Sequence, residues 1–290
     1  FILTLYNSFN YLFTREKRYK ELSRSRIYQA VTSNGVNAGF GAVQFGFIGL
    51  FIGYLMGFAT SFIFLFLSKS GVLKTEAGDT RENLKKHIDF PAKSVPSGLL
   101  NMLALQLPNF FIFSFFGASI LGVFDIITRV LNMPITMIGR SVSQVFYQKV
   151  AEDYKNGKPI GGYVKKFSIR LFLFMLVPMS IIFFFGEPIF VFVFGEEYRI
   201  SGKLATYFSL FFLIRFVYYS QSTLFSAVRE LGVEFRQNII FLISQLGALI
   251  IGCYYLDDFE WTFILLALSG AICYLYFTFS LIRIAQKADS

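Results

Sequence analysis

GFIGLFIGYLMGFATSFIFLFLS (46–68) contains no charged residue. A strand of a membrane β-barrel alternates apolar and polar residues over segments of roughly ten. This run is apolar throughout, so it reads as a membrane helix. Within it Gly49, Gly53 and Gly57 recur every four residues. That ridge of small side chains lets a neighbouring helix approach closely, a packing role. Similar apolar runs recur along the chain. Of its 290 residues 55% are hydrophobic and only 16% charged, 39 are phenylalanine, and the mean hydropathy is +0.57. A soluble domain is about a quarter charged. The fold class that follows is all-α, a polytopic helical membrane bundle.

The expected spans are 1–12 (partial), 24–45, 46–69, 96–117, 119–148, 167–186, 203–226, 236–255 and 261–282, about eight of them complete. The first covers roughly 18 Å as a helix, short of a hydrocarbon core of about 30 Å. It reads as the end of a helix that starts upstream, and the chain as an N-terminally truncated fragment. The span 24–45 is polar. Its Gln29, Ser33 and Asn37 share one helical face, which should look at protein or water. No signal peptide is visible.

Charge sets the expected orientation. The segments 13–26, 70–95 with Lys69 at its edge, 149–170, 227–237 and the tail from 283 hold 22 of the 27 Lys and Arg. Those on the other side hold Arg199, with Lys203 at the border. By the positive-inside rule the basic side and the C-terminus are cytoplasmic. The net charge of +9 is then a topology signal. Spread over short loops, it speaks against a nucleic-acid partner. The expected organisation is 1–69 as the end of a first helical half, 70–95 as a cytoplasmic inter-half loop, 96–282 as a second six-helix half, and 283–290 as a cytoplasmic tail.

The run ILGVFDIITRVLNMPITMIGRSVSQVFYQ (120–148) departs from this plain picture. On a straight helix Asp125, Arg129, Asn132, Thr136, Arg140, Ser143 and Tyr147 fall within an arc of about 80°. The stripe from Asp125 to Ser143 rises about 27 Å, nearly the hydrocarbon thickness. Pro134 on the opposite face should kink the helix. An arginine facing lipid at mid-depth costs at least about 2.5–3.5 kcal/mol, so the stripe should face the bundle interior and a hydrated cavity. Asp125 and Arg129 stand i,i+4 and can pair, and Arg140 can snorkel. Arg215, about twelve residues into its span, has Tyr218, Tyr219 and Ser222 on its own face. Guanidinium groups hold phosphate oxygens through forked, charge-assisted bonds. Tyrosines offer rings and hydroxyls to sugars. Asn101, Gln106 and Asn109 on 96–117 are interhelical bonding groups or ligand contacts.

Other chemistries lack their residues. The sequence has no P-loop and no HExxH motif. Cys253 and Cys273 fall in apolar spans and imply neither a disulfide nor a metal site, and the single histidine, His87, sits in a charged loop. No cofactor or metal is expected, and the chain does not read as an enzyme.

The run LLNMLALQLPNFFIFSFFGASILGVFDIITRVLNMPITMIGRSVSQVFYQK (99–149) resembles the polysaccharide-biosynthesis flippases, the Wzx-like branch of the multidrug/oligosaccharidyl-lipid/polysaccharide exporter superfamily. The resemblance lies in the QLP at 106–108 and in Thr128, Arg129, Val130, Leu131, Pro134, Ile138, Gly139, Ser141, Ser143, Gln144, Val145 and Phe146. FGEEYRISGKLA (194–205) resembles the outer loop of that family, with Tyr198 where tryptophan is usual. RFVYYSQ (215–221) resembles its Arg-Phe-x-x-Ser-Pro run, with Gln221 in place of proline. The resemblance implies two six-helix halves in the intact protein and a bacterial or archaeal inner membrane. It also implies translocation of an undecaprenyl-diphosphate-linked oligosaccharide, an O-antigen or exopolysaccharide repeat unit, by alternating access. The expected binding residues are Arg129, Arg140, Arg215, Asp125, Asn132, Tyr218 and Tyr219. The expected partners are the lipid-linked oligosaccharide, the bilayer, and the polysaccharide polymerase with its chain-length machinery. A drug/cation antiporter of the same superfamily and a membrane polymerase or glycosyltransferase are the alternatives.

Overall fold

The computed structural model describes residues 2–15, 18–42, 46–68 and 89–289. Of the described residues 92% are helical, and none of them forms a strand. The chain divides into two compact units between residues 83 and 84.

The first unit contains α1 (Ile2–Arg15), α2 (Tyr19–Ala42) and α3 (Gly46–Leu67). α3 is the glycine-ridged apolar run, and Gly49, Gly53, Gly57, Ser61 and Leu65 form its buried face. That face receives the polar side of α2. A Cβ added to Gly57 would lie 2.9 Å from Ser33 Cβ and 3.0 Å from the Gln29 carbonyl oxygen, and one added to Gly53 would collide with Asn37. Ser61 Oγ donates to the Ser25 carbonyl at 2.6 Å. Two sequence features read separately thus meet each other. The polar face of α2 avoids lipid because glycine backbone covers it.

The second unit contains α4 (Asp89–Pro134), a π-helical turn (Ile135–Gly139), α5 (Arg140–Lys155), α6 (Gly161–Phe194), α7 (Arg199–Tyr219), the short α8 (Leu224–Ala227), α9 (Leu231–Leu249) with a π-helical extension (Ile250–Leu256), and α10 (Phe259–Lys287). α4 is two limbs broken at Gly117, whose φ of 81° and ψ of 179° suit glycine alone. α6 bends at Phe185, three residues before Pro188, where the ring crowds the preceding turn.

Among the described residues six helical runs are long and apolar enough to cross a membrane: 46–67, 95–155, 161–194, 196–227, 231–256 and 259–287. The break at Gly117 makes the second of these two spans. The helix expected at 24–45 forms as α2, but it is too polar to join that set, so apolar helices alone do not reach the expected eight. Of the predicted loop 70–95, residues 70–88 lie outside the described residues, and α4 already begins at Asp89.

α7 is the central helix of its unit and packs against α4, α6 and α10. Phe208, Phe211, Phe212 and Phe216 on it are buried. Rings of neighbouring helices meet them, as Phe263 does Phe208 (centroids 6.1 Å apart) and Tyr274 does Phe211 (5.7 Å). Such pairs add about 0.5–1.5 kcal/mol each, in a solvent where packing rather than burial joins helices. On the α6 side Gly186 and Gly202 let the backbones touch: a Cβ at Gly202 would lie 2.6 Å from Glu187 Cα. At the start of α6 the Asp289 carboxylate accepts from the backbone N–H groups of Ile160 (2.6 Å) and Gly161 (2.8 Å). A side chain from beyond α10 thus caps α6 and complements the positive end of its dipole.

Candidate functional site: two joined cavities between α4, α7 and α9

Two cavities open within the second unit. The first, about 410 Å³, is lined by Gln106, Asn109, Asp125, Thr128, Arg129, Asn132, Arg215 and Gln245, with Phe208, Phe211, Phe212, Phe124 and Phe241 among its apolar walls. The second, about 330 Å³, is lined by Asn101, Asn132, Thr136, Arg215, Tyr218, Tyr219, Ser222, Glu234, Asn238 and Tyr274. Leu105, Asn132 and Arg215 belong to both. They mark the place where the two cavities adjoin.

Arg215 stands at that junction. It reaches it because α7 is buried on its other sides, leaving position 215 as the one half-buried residue between Phe211 and Tyr218. Its guanidinium lies over the rings of Phe211 (5.8 Å) and Phe212 (5.6 Å) and within hydrogen-bonding reach of Tyr274. No ion pair to a carboxylate forms at Arg215 among the described residues. Stacked rings hold the charge in place while leaving most of its five N–H donors available.

Arg129 differs. Its Nη2 meets Asp125 Oδ2 at 2.8 Å, and both side chains are largely exposed, at 78% and 54%. The expected pairing is present, at the open rim of the first cavity. Asn132, one turn further on, has a buried Oδ1 with no hydrogen-bond partner among the described residues. Such an acceptor, next to both cavities, is a ready contact for a ligand donor or a bridging water.

Several of the remaining polar walls are bonded within the protein. Asn101 Nδ2 donates to Asn238 Oδ1 (2.9 Å), and Asn238 Nδ2 donates to Ser97 Oγ (2.8 Å), which ties α4 to α9. Asn109 Nδ2 donates to Gln106 Oε1 at 2.8 Å. Tyr218 is buried, and its hydroxyl donates to Gln237 Oε1 at 2.8 Å. Tyr218 belongs to the cavity wall, with the donor of its hydroxyl already engaged.

The structure brings together Asp125, Arg129, Asn132, Arg215, Tyr218 and Tyr219, but Arg140 lines neither cavity and is exposed. The reason lies in Pro134. Lacking an N–H, it weakens the helical ladder, and the chain answers with the π-helical turn Ile135–Gly139. A π turn accommodates one extra residue, so everything after it lags by about 100°, one residue's step around the helix. The straight-helix stripe is broken there. Ser143 turns to Thr223, with the two hydroxyl oxygens 3.3 Å apart, and Tyr147 is exposed. The turn fits against α7 through Gly139, where a Cβ would stand 3.1 Å from the Tyr219 ring.

The sequence reading missed Glu234, Asn238 and Gln245. They stand with Phe241 at i, i+4, i+7 and i+11 on α9, one helical face that lines the cavities. The signal was available as periodicity. It was masked because 227–237 read as a connecting segment, which placed Glu234 in a loop.

Residues 1–202 match the protein family described as polysaccharide biosynthesis protein. No curated protein and no solved structure gives a match. The matched stretch includes Asp125, Arg129, Asn132 and Arg140 and ends in the first turn of α7, before Arg215, Tyr218 and Tyr219. With its long apolar helices and a match over more than two-thirds of its length, the chain is a multi-pass membrane protein that belongs to the polysaccharide biosynthesis protein family.

Proposed function

We propose that the joined cavities bind the phosphate-bearing head of a lipid-linked oligosaccharide, and that the protein works as a flippase rather than as an enzyme. The protein would carry an undecaprenyl-diphosphate-linked repeat unit of O-antigen or exopolysaccharide from the cytoplasmic to the outer leaflet of the inner membrane. Alternating access between two helical halves would move it. The positive-inside pattern supports a cytoplasmic C-terminus. On that orientation the second cavity, beside Gly98, Ser222 and Glu234, is the cytoplasmic one, where the head group enters. The handover to a polymerase and its chain-length machinery would follow at the outer face.

The observation that carries this reading is Arg215: an arginine at the meeting point of two cavities, held by aromatic faces and free of any ion pair among the described residues. A guanidinium so placed favours a multiply charged phosphate, which can take two bonds from one fork. The antiporter reading gains from Glu234. With Asp125 and Glu234 against Arg129 and Arg215, the charges of the two cavities balance, so an argument from net basic charge no longer separates the readings. The unpaired state of Arg215 does.

Titration calorimetry of the detergent-solubilised chain with citronellyl diphosphate, a short prenyl diphosphate, tests the choice. Binding that weakens at least about tenfold in Arg215→Gln, as loss of charge-assisted bonds predicts, supports the flippase. Binding of the cation tetraphenylphosphonium, lost in Glu234→Gln and indifferent to Arg215→Gln, would replace it with the antiporter.

A further inference from the structure

We infer that Glu234 selects the sugar that follows the phosphate, admitting neutral and amino sugars to the second cavity and excluding acidic ones. This rests on the reading of Arg215 as the phosphate anchor and adds what the adjoining cavity recognises.

Most polar groups in that cavity are already bonded. Asn101, Asn238 and Ser97 bond one another, and Tyr218 bonds Gln237. Tyr274 lies in reach of Arg215 and Asn101. Ser222 donates to the Tyr219 carbonyl at 3.1 Å. What remains is the Asn132 acceptor and two charged groups, Arg215 and Glu234. The latter two line the same space without forming an ion pair with each other, and no hydrogen bond engages the Glu234 carboxylate among the described residues. An acidic residue in the first turn of α9 suits the helix dipole, which accounts for the residue type. It does not account for a half-buried carboxylate facing a cavity whose other walls include tyrosine rings and the mutually bonded amides of Asn101 and Asn238.

A carboxylate is an acceptor only. Opposite a phosphate-holding arginine it asks for donors: the hydroxyls of a neutral sugar, or the ammonium of an amino sugar. A uronic acid would bring a second carboxylate into a site of low dielectric, where like charges repel strongly. The cavity is thus polarised, anion-seeking at the junction with the first cavity and donor-seeking at Glu234. A sugar 1-phosphate has that polarity.

Three soluble probes share the phosphate and differ in the sugar: glucose 1-phosphate, glucosamine 1-phosphate and glucuronic acid 1-phosphate. Their affinities for the detergent-solubilised chain and for Glu234→Gln are read by titration calorimetry. The expected result is glucosamine at least as tight as glucose, and glucuronic acid weaker than glucose by about tenfold or more. In Glu234→Gln, a change of charge without change of shape, the three should converge to within about threefold, as glucosamine and glucose lose a charged acceptor and glucuronic acid loses a repelling carboxylate. If the unaltered chain binds all three alike, or if Glu234→Gln keeps the same preference, the selector is overturned and the phosphate anchor stands. If none of the three binds, the anchor and the selector fall together.

Discussion

Two helix pairs in this protein place polar side chains at membrane depth and treat them in opposite ways. Between α2 and α3 the polar face of Gln29, Ser33 and Asn37 is shut against Gly53 and Gly57, with no room for a Cβ. Between α4 and α7 the facing residues are large. Phe208, Phe211 and Phe212 stand against Asp125, Arg129 and Asn132, and a cavity of about 410 Å³ is left. Polarity inside a membrane helix therefore does not by itself announce a ligand path. The residue type opposite decides: glycine closes the seam, and aromatic rings prop it open.

The largest effect that would break this comparison is expected at Gly57. A leucine there meets Ser33 and the Gln29 carbonyl, and Gly57→Leu should cost about 3 kcal/mol or more through overpacking. Thermal unfolding in detergent, or protease sensitivity of α2, would show it. Thr136→Leu, which projects into the second cavity, should lower stability by less than about 1 kcal/mol. Equal tolerance of both would mean that the α2–α3 seam is not closed.

Arg215→Gln comes next. Removing charge-assisted hydrogen bonds of about 1.5–3 kcal/mol should weaken citronellyl diphosphate binding roughly 10- to 100-fold. Arg215→Lys should fall between, since it keeps the charge but loses the fork.

Thiol labelling sharpens the contrast directly. With Cys253 and Cys273 replaced, cysteines at Asn132 and Thr136 should react with a membrane-impermeant reagent about tenfold faster than cysteines at Ser33 and Asn37, since a thiol needs water and reagent access to react. Equal rates would turn the cavity wall into another dry seam.

The smallest effect is expected at the most conspicuous pair of charges. The Arg129–Asp125 bridge is largely exposed, and exposed pairs contribute about 0–1 kcal/mol. Asp125→Asn should leave thermal stability within about 0.5 kcal/mol of the unaltered protein. A larger loss would show that the pair is structural glue.

Much of the fold was legible because its signals are coarse. Continuous apolar runs mark spans, and the boundary between 96–117 and 119–148 falls on Gly117, whose positive φ breaks α4. Helix lengths were less legible. α6 runs from Gly161 to Phe194 where 167–186 was expected, because hydropathy marks the lipid-crossing part and not the turns that extend beyond it. In the site, Arg215 with Tyr218 and Tyr219 followed from simple i+3 and i+4 spacing on a regular helix. Arg140 did not follow, because an angular count assumes the regularity that Pro134 ends. Glu234 was hidden by its proximity to basic residues that marked a loop.

The π turn at Ile135–Gly139 also has a genetic side. An in-frame loss of one codon within it would remove the extra residue and restore an ordinary α-helix. The protein would differ in length by one part in a few hundred, yet α5 would rotate by about 100°. Phe146 and Val150, now buried, would swing away from their partners, and Ser143 would leave Thr223. Point substitutions over the same five positions have no such reach. For this helix the count of residues is inherited information as much as their identity, and alignments that slide a gap through 135–139 would misplace every side chain that follows.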